Sequence, residues 1–102
     1  MLEIRPNCEL CDLELTPDSP VARICSYECT FCSDCVHDIL ANVCPNCGGG
    51  FVPRPIRPVN ERRDGISLAH QPASTQAVHN PYSHDEIRTF ASGVKDIPAG
   101  DR

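Results

Sequence analysis

The sequence predicts a small metal-stabilised α+β domain with a short β-hairpin and one helix, followed by a largely disordered tail. Three observations indicate this fold. All eight cysteines lie between Cys8 and Cys47, in about half of the 102 residues. A segment this short buries too little apolar surface to fold without metal ions or disulfides. After residue 52, proline and polar residues predominate, which is typical of chain without its own core.

The cysteines form two sets of four, the number of ligands that a tetrahedral zinc ion takes. A secreted disulfide framework is the alternative. Residues 1–6 contain no apolar run of signal-peptide length, and no stretch resembles a membrane span. We therefore expect a cytoplasmic protein with reduced thiols, no membrane association and two bound zinc ions. The spacing is Cys8-x2-Cys11, Cys25-x3-Cys29-x2-Cys32-x2-Cys35 and Cys44-x2-Cys47.

The charge of the cysteine-rich half argues against nucleic-acid binding. The formal net charge of the chain is −5, and eight thiolates would outweigh the charge of two zinc ions. Residues 1–48 contain no lysine, and their only arginines are Arg5 and Arg23. Nucleic-acid binders need lysine or arginine to displace counterions from phosphates. The basic residues after position 53 are more typical of a solvated linker.

Residues 1–52 are predicted to be one domain. Residues 21–25 and 30–32 flank a tight turn and predict the hairpin. Ser33 or Asp34 is placed to cap a helix that runs through residue 41. Three apolar residues of this helix share one face, which would close over the metal sites. They are Val36, Ile39 and Leu40.

The predicted helix decides which cysteines share a metal ion. Cys35 lies at its start and Cys44 just past its end, about 13 Å apart along the axis. Two ligands of one zinc ion have Cα atoms only several ångströms apart, so sequential pairing fails and interleaved pairing is predicted. The first site would contain Cys8, Cys11, Cys32 and Cys35, and the second Cys25, Cys29, Cys44 and Cys47.

The second half of the chain is predicted to be a proline-rich flexible linker, residues 53–82, a short amphipathic helix within residues 83–97, and a disordered end, residues 98–102. Ser83 and Glu86 form a capping box, and Pro98 prevents continuation of the helix. A helix of this length is marginal alone. It is either a fraying tail or a docking segment for a partner, a second copy or the metal-binding domain itself.

The cysteine order resembles a RING finger, a treble-clef fold with a cross-brace double zinc site. Cys29 stands where most RING domains place histidine. In ubiquitin-ligase RING domains, an apolar residue before the second ligand and a proline after the seventh bind the conjugating enzyme, and Leu10 and Pro45 match these positions. The aromatic residue that such ligases carry on the central helix has no counterpart here. The resemblance covers residues 8–47.

The sequence around the cysteines is also similar to that of a small bacterial domain-of-unknown-function family. The resemblance rests on residues 1–11, Arg23-Ile24-Cys25, Glu28-Cys29-Thr30-Phe31-Cys32 and Cys44-Pro45-Asn46-Cys47-Gly48-Gly49. It implies the zinc fold and a bacterial source but no activity. Members of that family end soon after the proline-arginine stretch, so the resemblance implies nothing for the tail.

We expect a non-catalytic zinc-binding module that mediates protein–protein interaction with an unknown partner. Four cysteines per site leave no open position for a catalytic water, and His37 is expected to be a polar-face helix residue. The alternatives are a RING-type ligase that binds a conjugating enzyme and a zinc-thiolate redox sensor. The candidate partner-binding residues are Leu10, Pro45, Ile87, Phe90 and Val94.

Overall fold

The computed structural model describes all 102 residues, and it confirms the predicted α+β class with a short hairpin and a helix. Three short strands form one antiparallel sheet in the order β2-β1-β3. No helix has the length and apolar character needed to cross a membrane. The elements are β1 (Ala22–Ile24), β2 (Thr30–Cys32), α1 (Ser33–Asp38), β3 (Val52–Pro53), α2 (His84–Ser92) and a 3₁₀ turn at Ala99–Asp101.

The hairpin places two cysteines at its turn. Strands β1 and β2 pair in a register that sets Arg23 opposite Phe31. The connecting turn is closed by a 3.2 Å hydrogen bond from the Cys25 N–H to the Cys29 carbonyl, and Glu28 has a positive φ of 66°. Phe31 is fully buried and meets Phe51 edge to face, with ring centroids 5.5 Å apart. The hairpin therefore presents its turn cysteines from a firmly packed base.

Helix α1 is shorter than predicted, and neither Ser33 nor Asp34 caps it. The N-cap is Cys32, because the helix follows β2 without a loop and no side chain caps it. The helix ends at Asp38, and Ala41 and Asn42 take positive φ values of 50° and 57°. Ile39 is the C-cap, and a right-handed helix cannot resume through residues with positive φ, so residues 39–41 lie outside it.

The buried core is made largely of cysteine. Six of the eleven residues in the main apolar cluster are cysteines, so thiol groups occupy positions that leucine or valine fills in a larger domain. Leu40 is fully buried, and Val36 and Ile39 pack against the cluster from its edge. The three apolar residues thus pack against the cysteines even though two of them lie beyond the end of α1.

The expectation of a largely disordered tail is not supported. Residues 53–82 have little regular secondary structure, but hydrogen bonds attach them to the cysteine-rich domain at several points. The Arg54 guanidinium donates to the carbonyls of Arg5 and Thr16, both at 2.8 Å. The Asn7 side chain donates to the Val78 carbonyl at 2.8 Å and accepts from its N–H at 3.1 Å. Composition alone could not indicate these contacts, because they satisfy backbone groups remote in sequence.

Helix α2 docks on the cysteine-rich domain of its own chain. Ser83 Oγ accepts from the Glu86 N–H and Glu86 Oε1 accepts from the Ser83 N–H, each at 3.1 Å, which completes the capping box. Ile87 and Ala91 are buried, and Ile87 belongs to the main apolar cluster. Beyond the helix, Arg102 donates to the Gly48 carbonyl at 3.2 Å. Of the three docking partners proposed for this helix, the structure shows the cysteine-rich domain of the same chain.

Candidate metal centres

The first cysteine cluster joins two parts of the chain that are distant in sequence. Its four Sγ atoms lie within 4.8 Å of one another. The Sγ atoms of Cys11 and Cys32 are 3.7 Å apart. A zinc ion with four sulfur ligands at about 2.3 Å requires sulfur atoms about 3.8 Å apart, so the Cys11–Cys32 distance matches one edge of such a tetrahedron. Its members are Cys8, Cys11, Cys32 and Cys35.

A tight loop forms the N-terminal half of the first cluster. The Cys8 N–H donates to the Leu13 carbonyl at 2.8 Å, and the Asp12 N–H donates to the Cys8 carbonyl at 3.0 Å. Asp12 has a positive φ of 66°, a conformation that aspartate tolerates better than most residues. Its carboxylate accepts from the Asn7 side-chain amide at 3.1 Å. The loop therefore holds Cys8 and Cys11 side by side.

The second cluster contains Cys25, Cys44 and Cys47, whose Sγ atoms also lie within 4.8 Å of one another. Cys29 is buried and contacts the thiols of Cys25 and Cys44, but its Sγ is not within 4.8 Å of all three sulfur atoms. Its Sγ accepts a 3.4 Å hydrogen bond from the side-chain amide of Asn46. The structure thus brings seven of the eight predicted ligands into two clusters and leaves the eighth next to the second one.

Backbone amides shape the second cluster. Cys44 and the glycines that follow Cys47 form a closed turn, in which the Gly48 N–H donates to the Cys44 carbonyl at 2.8 Å. Gly48 has a φ of +80°, which favours glycine. The Gly49 N–H donates to Cys47 Sγ at 3.4 Å. Such N–H groups aimed at sulfur stabilise thiolates.

The two clusters interleave along the chain. Cys35 and Cys44 belong to different clusters, as the interleaved prediction requires, although α1 is too short to impose the separation alone. Residues 39–43 provide the rest of the separation between Cys35 and Cys44. They are held by hydrogen bonds from the Leu40 N–H to the Cys35 carbonyl at 2.9 Å and from the Val43 N–H to the Leu40 carbonyl at 3.0 Å. Leu40 and Val43 are both buried.

The thiol pKa values show which cysteines carry a proton that a bound cation would have to displace. Burial, together with the charges of neighbouring cysteines, raises the pKa of Cys35 and Cys44 well above the ordinary thiol value. Burial also raises the pKa of Cys11, but the Leu13 backbone hydrogen bond and neighbouring thiols outweigh it, so the net shift is downward. A divalent cation favours the thiolate form. A metal ion bound at these clusters would therefore displace protons from Cys35 and Cys44.

The donor set restricts the metals that fit. Sulfur-only clusters suit zinc, iron or copper(I), whereas calcium and magnesium require oxygen ligands. His37 points into solvent and lies 2.7 Å from Asp38, so no histidine of the domain joins the clusters. All eight cysteines are free thiols. Both clusters can bind a metal ion through sulfur alone.

The residues predicted to bind a partner lie in different environments. Ile87 has only 1% of its surface exposed, so its assignment to a partner-binding surface is corrected: it packs inside its own chain. Pro45 is buried and lines a cavity of about 280 Å³ with Ile87 and Phe90. Leu10 packs at the edge of the core. Phe90, 43% exposed, and Val94 line a second cavity of about 400 Å³ beside Cys47.

Sequence reasoning missed Asn46 and Arg54. Asn46 contacts Cys29 Sγ, and its position between two cysteines was a usable signal. Arg54 is 4% exposed and its pKa is lowered by burial. Its place between Pro53 and Pro55 gave no indication of its role, because the carbonyls that it binds belong to residues far away in sequence.

Comparison with known proteins identifies relatives of this chain. The model of a family described as "Protein of unknown function (DUF1272)" matches residues 1–57, which include both cysteine clusters. A protein of Rhizobium meliloti (strain 1021), described as uncharacterized, is 51% identical over 81 residues, which cover 79% of this chain and 89% of that protein. The similarity to this relative therefore extends beyond the residues matched by the family model. No solved structure matches the chain.

Proposed function

The chain belongs to the DUF1272 family of proteins of unknown function, and we propose that it is a non-catalytic double-zinc protein whose metal ions stabilise a small protein-interaction module. The observation that carries this proposal is the pair of interleaved sulfur clusters, four and three cysteines with Cys29 beside the second. Each cluster joins segments that are distant in sequence. A metal ion at each one would cross-link the domain in place of a large apolar core.

Zinc fits both the ligand chemistry and the geometry of the clusters. The 3.7 Å separation of Cys11 and Cys32 sulfur atoms is close to the edge of a zinc–sulfur tetrahedron. Structural zinc sites with four cysteines are closed, so neither ion would hold a catalytic water. Iron shares this geometry, and elemental analysis distinguishes the two metals.

Exposed apolar groups favour a role in protein interaction. Tyr27 is 73% exposed, and it lines the cavity of about 400 Å³ together with Phe90 and Ile97. Aromatic residues around a concave surface are typical of protein-binding sites. We therefore propose that a protein partner contacts this cavity. The alternative of a conjugating-enzyme binder has less support, because Pro45 is buried under α2.

Elemental analysis of the purified full chain tests the metal-binding proposal. We expect two zinc ions per chain, no visible absorption band, and unfolding when a strong chelator removes the metal. Circular dichroism and zinc release would be followed together. An iron-coloured protein, or a chain that stays folded after complete metal removal, would overturn the proposal.

A second candidate function is redox sensing through the zinc thiolates. It is favoured by the exposure of Cys11 and Cys47, one ligand in each cluster. Two zinc-bound thiolates would reduce one hydrogen peroxide to two water molecules with uptake of two protons, forming a disulfide and releasing zinc. Zinc release by stoichiometric peroxide, reversed by a thiol reductant, is the expected result. Retention of both ions under these conditions would exclude this function.

A further inference from the structure

We propose that the second metal site, formed by Cys25, Cys29, Cys44 and Cys47, is the exchangeable one, and that its loading controls the docking of α2. This inference rests on the proposed zinc binding. It assigns a different role to each ion. The first ion would be a permanent cross-link, and the second would determine whether the C-terminal helix covers the domain.

The two sites differ in how far they are organised for a metal ion. At the first site all four Sγ atoms lie within 4.8 Å of one another, so an ion can bind with little rearrangement. At the second site only three do, and Cys29 Sγ accepts a hydrogen bond from Asn46. Binding of all four sulfurs at the second site requires a rearrangement of Cys29, because at least one of its sulfur–sulfur distances exceeds 4.8 Å. Rearrangement on binding lowers affinity, so the second ion is bound more weakly.

The C-terminal segment packs on the turn that carries the second site. The Cζ atom of Phe90 lies 3.6 Å from the position that a Cβ atom would take at Gly48. Pro45 and Asn46 line one cavity with Ile87 and Phe90. The Gly48 carbonyl accepts from Arg102. Helix α2 and the residues that follow it therefore contact the turn at residues 44–49, which carries Cys44 and Cys47.

These contacts couple metal binding to helix docking. The metal ion fixes the turn at residues 44–49, and the fixed turn provides the surface against which Phe90 packs. Coupling of this kind is reciprocal, so docking of α2 must strengthen zinc binding at the second site by the same factor. Loss of the second ion would release α2 and expose Ile87, Ala91 and the buried face of Pro45. Zinc availability would thus control access to this apolar surface.

A chelator titration of the full zinc-loaded chain tests the inference. Zinc release would be measured with a chromogenic chelator, and hydrogen exchange would be measured in the same samples. We expect two steps of release. The amides of α2 should lose protection in the first step, while the amides of residues 8–15 and 30–35 keep theirs until the second. Release in one step, or protection of α2 until the last ion leaves, would overturn the inference.

Two variants separate this inference from the proposed function. Phe90→Ala should weaken zinc binding at the weaker site by about fivefold or more and leave the tighter site unchanged. Thr89→Ala is the matched control, because Thr89 is exposed on the same helix, and it should change neither affinity. Wild-type chain without bound zinc would refute the proposed function. If the chain binds two zinc ions and Phe90→Ala changes neither affinity, the coupling between zinc binding and helix docking is refuted, while the proposed function stands.

Discussion

The Sγ atoms of Cys11 and Cys32 lie 3.7 Å apart, although the two residues are 21 positions apart in the sequence. This contact joins the N-terminal loop to the last residue of β2. The same strand pairs with β1, which leads to Cys25 and the second cluster. Cys32 belongs to the first cluster, while Cys25 on the preceding side of the hairpin belongs to the second. This interleaved arrangement can be tested by pairs of substitutions.

Paired cysteine substitutions should distinguish interleaved from sequential ligation. The double variant Cys11→Ser/Cys32→Ser removes two ligands of one site under interleaved ligation, so it should retain one zinc ion. The matched variant Cys11→Ser/Cys25→Ser removes a ligand from each site and should bind neither ion tightly. Native mass spectrometry measures both. Sequential ligation requires the opposite result, one ion in the second variant and weakened binding at both sites in the first.

Replacement of Arg54 should destabilise the attachment of the tail. Arg54→Ala leaves two carbonyls, those of Arg5 and Thr16, without their donor. We expect a loss of about 2 kcal/mol in the free energy of unfolding, since each of the two partly buried carbonyls left without a donor costs at most about 1–3 kcal/mol and removal of a buried charge offsets part of this. Urea unfolding at saturating zinc measures the loss. The exposed Arg62→Ala should stay within about 0.5 kcal/mol of wild type, and equal stability of the two variants would contradict the prediction.

Removal of the capping box should loosen α2 without changing the metal content. Ser83→Ala deletes the oxygen that accepts from the Glu86 N–H, and such caps contribute about 1 kcal/mol. Hydrogen exchange in α2 should therefore become about fivefold faster, while zinc stoichiometry remains two. Ser92→Ala is the control near the other end of the helix and should have a smaller effect. Equal exchange rates in the two variants would show that the cap does not stabilise α2.

Acidification should weaken metal binding. Burial raises the pKa of Cys35 and Cys44, so both thiols carry protons at neutral pH before the metal binds and lose them when it does. The metal-free state thus binds more protons than the metal-bound state. Zinc affinity, and the stability that depends on it, must therefore fall as pH falls and rise as pH rises. Competition titrations with a chelator between about pH 6 and 8 measure this slope, and a pH-independent affinity would contradict it.

The grouping of the cysteines could be predicted because ligand spacing carries geometric information. Three pairs with x2 spacing, Cys8/Cys11, Cys32/Cys35 and Cys44/Cys47, each lie within one cluster, whereas Cys29 and Cys32 have the same spacing and are not in one cluster. The prediction that Cys35 and Cys44 do not share an ion agrees with the clusters, although the helix on which it rested is shorter than predicted. The length of α1 could not be predicted, since alanine at position 41 favours a helix. In the structure this alanine has a positive φ of 50°, a conformation that its helix propensity opposes.

The order of the tail could not be read from its composition. Proline and polar residues normally indicate disorder because they bury little apolar surface. Here the attachment comes from hydrogen bonds to remote backbone groups, including Arg57 to the Leu2 carbonyl and the Ser74 N–H to the Ile4 carbonyl. By contrast, the Ser83–Glu86 cap is local in sequence. Local sequence signals were therefore sufficient to predict the start of α2, but not to predict the order of residues 53–82.

The pairing of Asn7 with Val78 has a consequence for the order of folding. These residues are 71 positions apart, so their contact closes a loop longer than any that joins two cysteines of one cluster. Long loops cost more chain entropy, and contacts of high contact order form late. During synthesis, Asn7 leaves the ribosome long before Val78, and all eight cysteines precede the tail. Metal loading should therefore be complete before the tail closes over the finished domain.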